Sequence, residues 1–312
     1  NAEIKLYERC RSGIHMAKKL WYEYFIREVD FVGHPNKKQE FLSGAINVRQ
    51  KEYPETKASY IGYVLTILIA ENHLAKAEYE MCCHCCEELI KLVRENPAIF
   101  MNRRLAHAYS ELAYNELFIF NFQGAVKHAR YSLNYYENGE FDYKIAREIE
   151  FKALFYMGDF SRCSAILQSL LSSTRQEELP FLYNKWLYFK ACILFVTQKY
   201  KLAFHILEAI KELDKNSEGW GFGVRLLTIM CLIELFLFDL AEDRIEALRK
   251  YFERLNSKYP LHKREVVMMY LLQQLVKKSF SFCKVNDERG DRVQSFNTIH
   301  GELGWEVKSY EM

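Results

Sequence analysis

The chain has 312 residues, of which 50% are apolar, 27% charged and 15% aromatic, and its formal net charge is +2. That length and apolar content suffice for a large core and exclude a disordered chain; the balance of acid and base gives no basic stripe for nucleic acid. Five prolines and 13 glycines set against 21 tyrosines and 22 phenylalanines point to helices joined by short turns.

In chain order, residues 3–29 read as one long helix or two, ending near Gly33-His34-Pro35. A helix over Lys37–Gln50 follows and is closed by Tyr53-Pro54. Residues 55–72 and 74–96 form a helical hairpin bending at Asn72-His73, with Pro97 after its end. The second arm contains Cys82-Cys83-His84-Cys85-Cys86. At 100° per residue, Cys82, Cys86, Leu89 and Val93 continue one apolar stripe, broadened by Cys85 and Leu92, while His84, Glu87, Glu88 and Lys91 repeat opposite. Zinc needs about four converging ligands, usually from separate elements, and a redox pair sits at a strand-to-helix turn. This stretch therefore reads as core, with no metal or cofactor expected. Nine cysteines, an odd number without regular spacing, suit reduced thiols and a cytoplasmic setting.

Four stretches in the middle share one layout of apolar helix, tight turn and second helix. They begin at Leu112, Glu150, Lys190 and Met230. Aligned just after the turn, Phe122, Phe160, Tyr200 and Leu240 coincide, at spacings of 38, 40 and 40 residues. Three positions later come Ala125, Cys163, Ala203 and Asp243; five positions before the anchor come Leu117, Phe155, Phe195 and Leu235. A bulky residue plugs the turn and a small one lets the paired helices approach. A single hairpin cannot bury both faces, so neighbours must stack on it.

Further on, "SEGWGFGVR" (217–225) reads as an interhelical loop with a tryptophan anchor, since no strand precedes it to form a phosphate cradle. "LLTIMCLIELFLFDL" from Leu226 is a buried helix, too short to span a bilayer and interrupted by Glu234. A helix from about His262 to Phe280 follows. "CKVNDERGDRVQ" (283–294) reads as a loop, and residues after about Asp291 as a tail folding back over the last hairpin. The start lacks a basic segment followed by an apolar run. Beginning at Asn1, the chain reads as a fragment or a trimmed form.

The repeats resemble the tetratricopeptide repeat on Ala113, Phe122, Ala125 and Ala129, and on Ala191, Tyr200 and Ala203. They depart from it in period, in Phe151 where a small residue is usual, and in Asp243. "FLYNKWLYFKACILFVTQKYKLAFHIL", "RLLTIMCLIELFLFDLAEDRIEALRKYFERL" and "WEVKSYEM" make residues 103–312 similar to uncharacterised Bacteroidetes-type helical-repeat proteins. The resemblance implies an all-α, right-handed superhelix (solenoid) of antiparallel helical hairpins, bacterial and tetratricopeptide-like with a 38–40-residue period. It would form one domain over 1–312, with N-terminal helices to 102, the clearest repeats over 103–257, and a C-terminal helix and capping tail over 258–312.

In the tetratricopeptide register, Tyr114, Lys152, Lys185, Tyr188 and Arg225 face the concave groove. Aromatic anchors beside cations suit a peptide with an acidic side chain or a C-terminal carboxylate. The function expected is a non-enzymatic scaffold for a protein or peptide partner, without nucleic-acid or membrane binding. A sensory module of a larger signalling or transcriptional regulator is the alternative, and an enzyme the third. No Ser or Cys nucleophile sits in a recognisable elbow, and the scattered histidines form no H-E-x-x-H pair. No acid–base pair stands on spacing alone.

Overall fold

The computed structural model describes residues 2–31, 35–138, 140–210, 220–256 and 263–298. They form fourteen α-helices, with no strand among the described residues. The chain falls into two compact units, Asn1–Gly158 and Asp159–Met312. The first holds α1 (Ala2–Phe31), α2 (Pro35–Thr56), α3 (Ser59–Leu74), α4 (Tyr79–Glu95), α5 (Asn102–Phe118), α6 (Phe122–Leu133) and α7 (Phe141–Tyr156). The second holds α8 (Phe160–Ser172), α9 (Pro180–Val196), α10 (Tyr200–Ala209), α11 (Trp220–Glu234), α12 (Phe238–Asn256), α13 (Lys263–Lys277) and α14 (Phe282–Thr298). Within each unit every helix packs on its sequence neighbours; α5 also touches α7, and α9 touches α11.

The turns explain the local order. α4, α6, α8, α10, α12 and α14 each begin on an aromatic: Tyr79, Phe122, Phe160, Tyr200, Phe238 and Phe282. Three residues on, Cys82, Ala125, Cys163, Ala203, Ala241 and Val285 are buried. Two residues before each aromatic the backbone turns left-handed, at Ala77 (φ 56°), Phe120 (59°), Gly158 (77°), Gln198 (61°), Phe236 (59°) and Phe280 (59°). In four of these turns the next N–H closes a six-residue Schellman ring: Glu78 donates to His73, Asn121 to Glu116, Lys199 to Leu194, and Leu237 to Leu232. The Asn121 and Asp159 side chains then cap α6 and α8, accepting from Gly124 N (3.2 Å) and Arg162 N (3.0 Å).

This register corrects the sequence alignment in its last copy. α12 begins at Phe238, not Leu240, so the small residue at the crossing is the buried Ala241 rather than Asp243. Leu240 is half exposed. Two adjacent phenylalanines, Phe236 and Phe238, compete with Leu240 as the plug, and the Leu237 N–H to Leu232 bond settles the turn at 235–237.

Several boundaries also differ from expectation. Residues 2–31 are one helix. α2 runs through Pro54 to Thr56, because a proline in the last turn forfeits a single hydrogen bond, and Thr56 Oγ1 donates to Glu52 O there. The α3–α4 bend lies at 75–78, beyond Asn72-His73. Gly221 and Gly223 lie inside α11, not in a loop, while residues 211–219 lie outside the described residues. Residues 283–294 are helical, kinked at Arg289 beside Gly290, and tied down by buried Val285 and the Lys278–Glu288 ion pair (2.6 Å). The predicted tail cover beyond residue 298 lies outside the described residues.

Candidate binding surfaces

The cysteine stretch on α4 is core. Cys82, Cys83, Cys85 and Cys86 are all buried and free, and Cys83 and Cys86 pack with Leu89, Ile90 and Val93 against Leu105, Ala108 and Leu112 of α5. His84 is exposed, 3.4 Å from Glu88. Burial pushes the Cys82 and Cys83 thiols up to about 12, and Cys86 well above the ordinary thiol range. Such thiols are poor nucleophiles at neutral pH. No group of His, Cys, Asp and Glu among the described residues is placed to hold a metal ion. A cavity of about 30 Å³ between α3, α4 and α5, lined by Glu71, Cys82, Cys86, His107 and Glu111, has room for about one water.

The five residues expected in a groove divide among several environments. In the first unit, Lys152 is buried on α7 and pairs with the buried Glu148 one turn away at 2.9 Å. Tyr114 is half-buried; its ring meets Phe118 edge-on at 4.9 Å, and Phe118 stacks on Tyr79 at 4.3 Å.

In the second unit, the buried Lys185 ammonium lies 4.8 Å from the Trp186 ring, 5.6 Å from Trp220 and 5.9 Å from Phe181. Tyr188, also buried, meets Trp220 edge-on at 5.9 Å. The structure therefore joins Lys185 and Tyr188 around one tryptophan. Lys152, Lys185 and Tyr188, expected to face the groove, are all buried. The Lys152 head meets a carboxylate, and the Lys185 and Tyr188 heads meet aromatic rings, which a register alone does not reveal.

Arg225 goes elsewhere. Its guanidinium lies 4.7 Å from the Tyr251 ring and lines an open cleft of about 230 Å³ between α10, α11 and α12. Across the cleft Arg244 Nη2 donates to both carboxylate oxygens of Glu208 at 3.1 Å, with Thr228 alongside and Leu207 and Val224 as apolar lining. The displacement follows from the turn at Phe238. Two residues of register rotate a side chain about 200° around a helix, so the α11 residue in the Lys185 position is Gly223.

Sequence reasoning missed Arg244, Glu208 and Trp220 as partners. No helix among the described residues is long and apolar enough to cross a membrane.

No family model matches this sequence and no curated protein matches it. Among solved structures, the chain is similar to BtubC (BKLC) from P. vanneervenii. The TM-score is 0.57 at 11% identity, over 74% of this chain and 95% of that one. At that identity the likeness concerns the fold.

Proposed function

We propose that this protein is a non-enzymatic helical-repeat scaffold, built of tetratricopeptide-like hairpins stacked as a solenoid within each unit, that binds a protein or peptide segment. The recurring left-handed turn, aromatic start and small crossing residue support the repeat reading. The seven buried free thiols fit a reducing, cytoplasmic setting.

The observation that carries the binding reading is the Arg225–Arg244 cleft. It sets two guanidiniums and an apolar floor around an open space of about 230 Å³, with the Tyr251 ring against the Arg225 guanidinium. Arginine forks suit carboxylates, and the adjoining ring and aliphatic side chains suit the side chain beside one. The ligand is then a peptide presenting a C-terminal or side-chain carboxylate, with Glu208 as the internal group it displaces from Arg244. The site lies between α10, α11 and α12, not among the buried Lys152, Lys185 and Tyr188.

A peptide array in paired forms, with free and amidated C termini, tests this. Retention of free-acid or acidic peptides, lost in the Arg225→Glu/Arg244→Glu variant with unchanged circular dichroism, supports the assignment. Equal retention by both proteins removes the cleft, and no retention at all removes the peptide reading.

A further inference from the structure

The second unit exposes apolar side chains along three neighbouring turns in a way its own folding does not require. Phe236 occupies the left-handed position of the α11–α12 turn at φ 59° and is 78% exposed. A side chain there is disfavoured relative to glycine, because its Cβ crowds the following carbonyl oxygen. At the equivalent position Gly158 avoids that cost, and Phe280 offsets it by burial. Phe236 does neither, and nor does Phe120 in the first unit, 68% exposed at φ 59°. The following residue, Leu237, has no side-chain oxygen with which to cap α12, where Asn121 and Asp159 cap α6 and α8. This turn forgoes both local devices in favour of two exposed hydrophobes.

The neighbours extend the patch. Val196 and Leu202 flank the α9–α10 turn, Leu240 lies in the first turn of α12 and Phe282 opens α14; all are exposed. The turns are continuous: Tyr200 is hydrogen-bonded to Glu234 at the end of α11, and Phe238 stacks on Phe280 at 4.9 Å. At roughly 150–250 Å² per large side chain, these residues expose on the order of 700 Å² of mostly apolar surface. A standard interface buries about 800 Å² per partner.

The charges on this edge are separated. Lys199 and Lys201 flank the α9–α10 turn, whereas Asp239 and Glu242 flank the α11–α12 turn, all four exposed and none ion-paired within the described residues. A two-fold arrangement sets residue i of one copy against j of the other, and j against i. With the axis between these two turns, Lys201 meets Asp239 of a second copy, and the reverse pair forms across the axis. Phe236, the most exposed of these side chains, lies on the acidic turn and supplies an aromatic anchor to the apolar part of the contact.

We infer that this turn edge of the second unit, centred on Phe236, is a self-complementary surface through which the protein forms an antiparallel homodimer. Charge complementarity selects a second copy over a membrane, since the edge carries a basic turn and an acidic turn rather than a single basic face.

Sedimentation velocity from low micromolar to submillimolar protein tests it. The wild type should pass from monomer to dimer. Phe236→Gly should raise the dissociation constant about tenfold or more while leaving the melting temperature unchanged or higher, because glycine suits the left-handed turn. Lys201→Glu and Asp239→Lys should each weaken the dimer, and the two together should restore it. A wild type that stays monomeric across the range overturns the proposal and leaves the edge to a different protein or a lipid surface. A dimer indifferent to Phe236→Gly, or a double variant that fails to recover, overturns it as well.

Discussion

The two units solve the same packing problem with different chemistry. The first buries carboxylates and satisfies them. Glu116 accepts from Asn121 Nδ2 at 2.9 Å and pairs with His128 at 2.7 Å. Glu150, 2% exposed, receives Arg130 Nε at 2.7 Å and Arg147 Nη1 at 2.5 Å. Among the described residues of the second unit no carboxylate is buried; its buried cation, Lys185, sits on aromatic rings, and Trp220 gathers Phe181, Tyr188 and Phe189 within 6.4 Å. A buried carboxylate depends on every partner being present, because removing one leaves an uncompensated charge. A ring cluster depends on volume, and suffers most from truncation.

The largest effect should therefore come from Trp220→Ala in the second unit, at about 3–5 kcal/mol. Urea unfolding measures it, and a loss under about 1 kcal/mol would show that the cluster is not the organising core of that unit. Next comes charge. Glu150→Gln in the first unit should cost about 3 kcal/mol by stranding Arg147 and Arg130, whereas Lys185→Met in the second, which keeps the packed stem, should cost less than about 1.5 kcal/mol. Equal losses would erase the contrast.

Alkaline pH should act on both units alike. Burial raises Cys82 and Cys83 in the first and Cys192 and Cys231 in the second, each to about 12. A thiol with a raised folded-state pKa contributes fully below the unfolded value near 8.5, and its contribution is lost as pH rises from there through the folded value. Stability should accordingly fall from about pH 9 upward, and replacing these four by alanine should flatten that slope even where it lowers stability at pH 7. A thiol probe at pH 8 should label exposed Cys283 first and the buried seven only on unfolding. The smallest effect is a gain: Phe120→Gly, at the left-handed turn before α6, should stabilise the first unit by about 1 kcal/mol.

Much of the helical order was legible in the sequence, and the reasons are local. The α4 cysteines follow a 3.6-residue stripe, so their burial and the exposure of His84 could be read directly. Phe122, Phe160 and Tyr200 mark true helix starts: the turns before Phe160 and Tyr200 offer one bulky candidate for the plug, and the Asn121 cap selects Phe122 over Phe120. Where Phe236, Phe238 and Leu240 crowd together, the choice depended on a backbone hydrogen bond, and a two-residue error carried Arg225 onto the wrong face. Residues 283–294 looked like a loop because their helix is anchored by packing from α13 rather than by composition. Burial of Lys152 and Lys185 was hidden for a similar reason: Glu148 and the two tryptophans that hold them act through the fold.

The most direct test of the scaffold account is hydrogen exchange across the chain, with and without a free-acid peptide selected on the array. The account predicts protection concentrated in α10, α11 and α12 around Glu208, Arg225 and Arg244, absent with the amidated peptide. Protection confined to the first unit, or the same pattern with the amidated form, would contradict it.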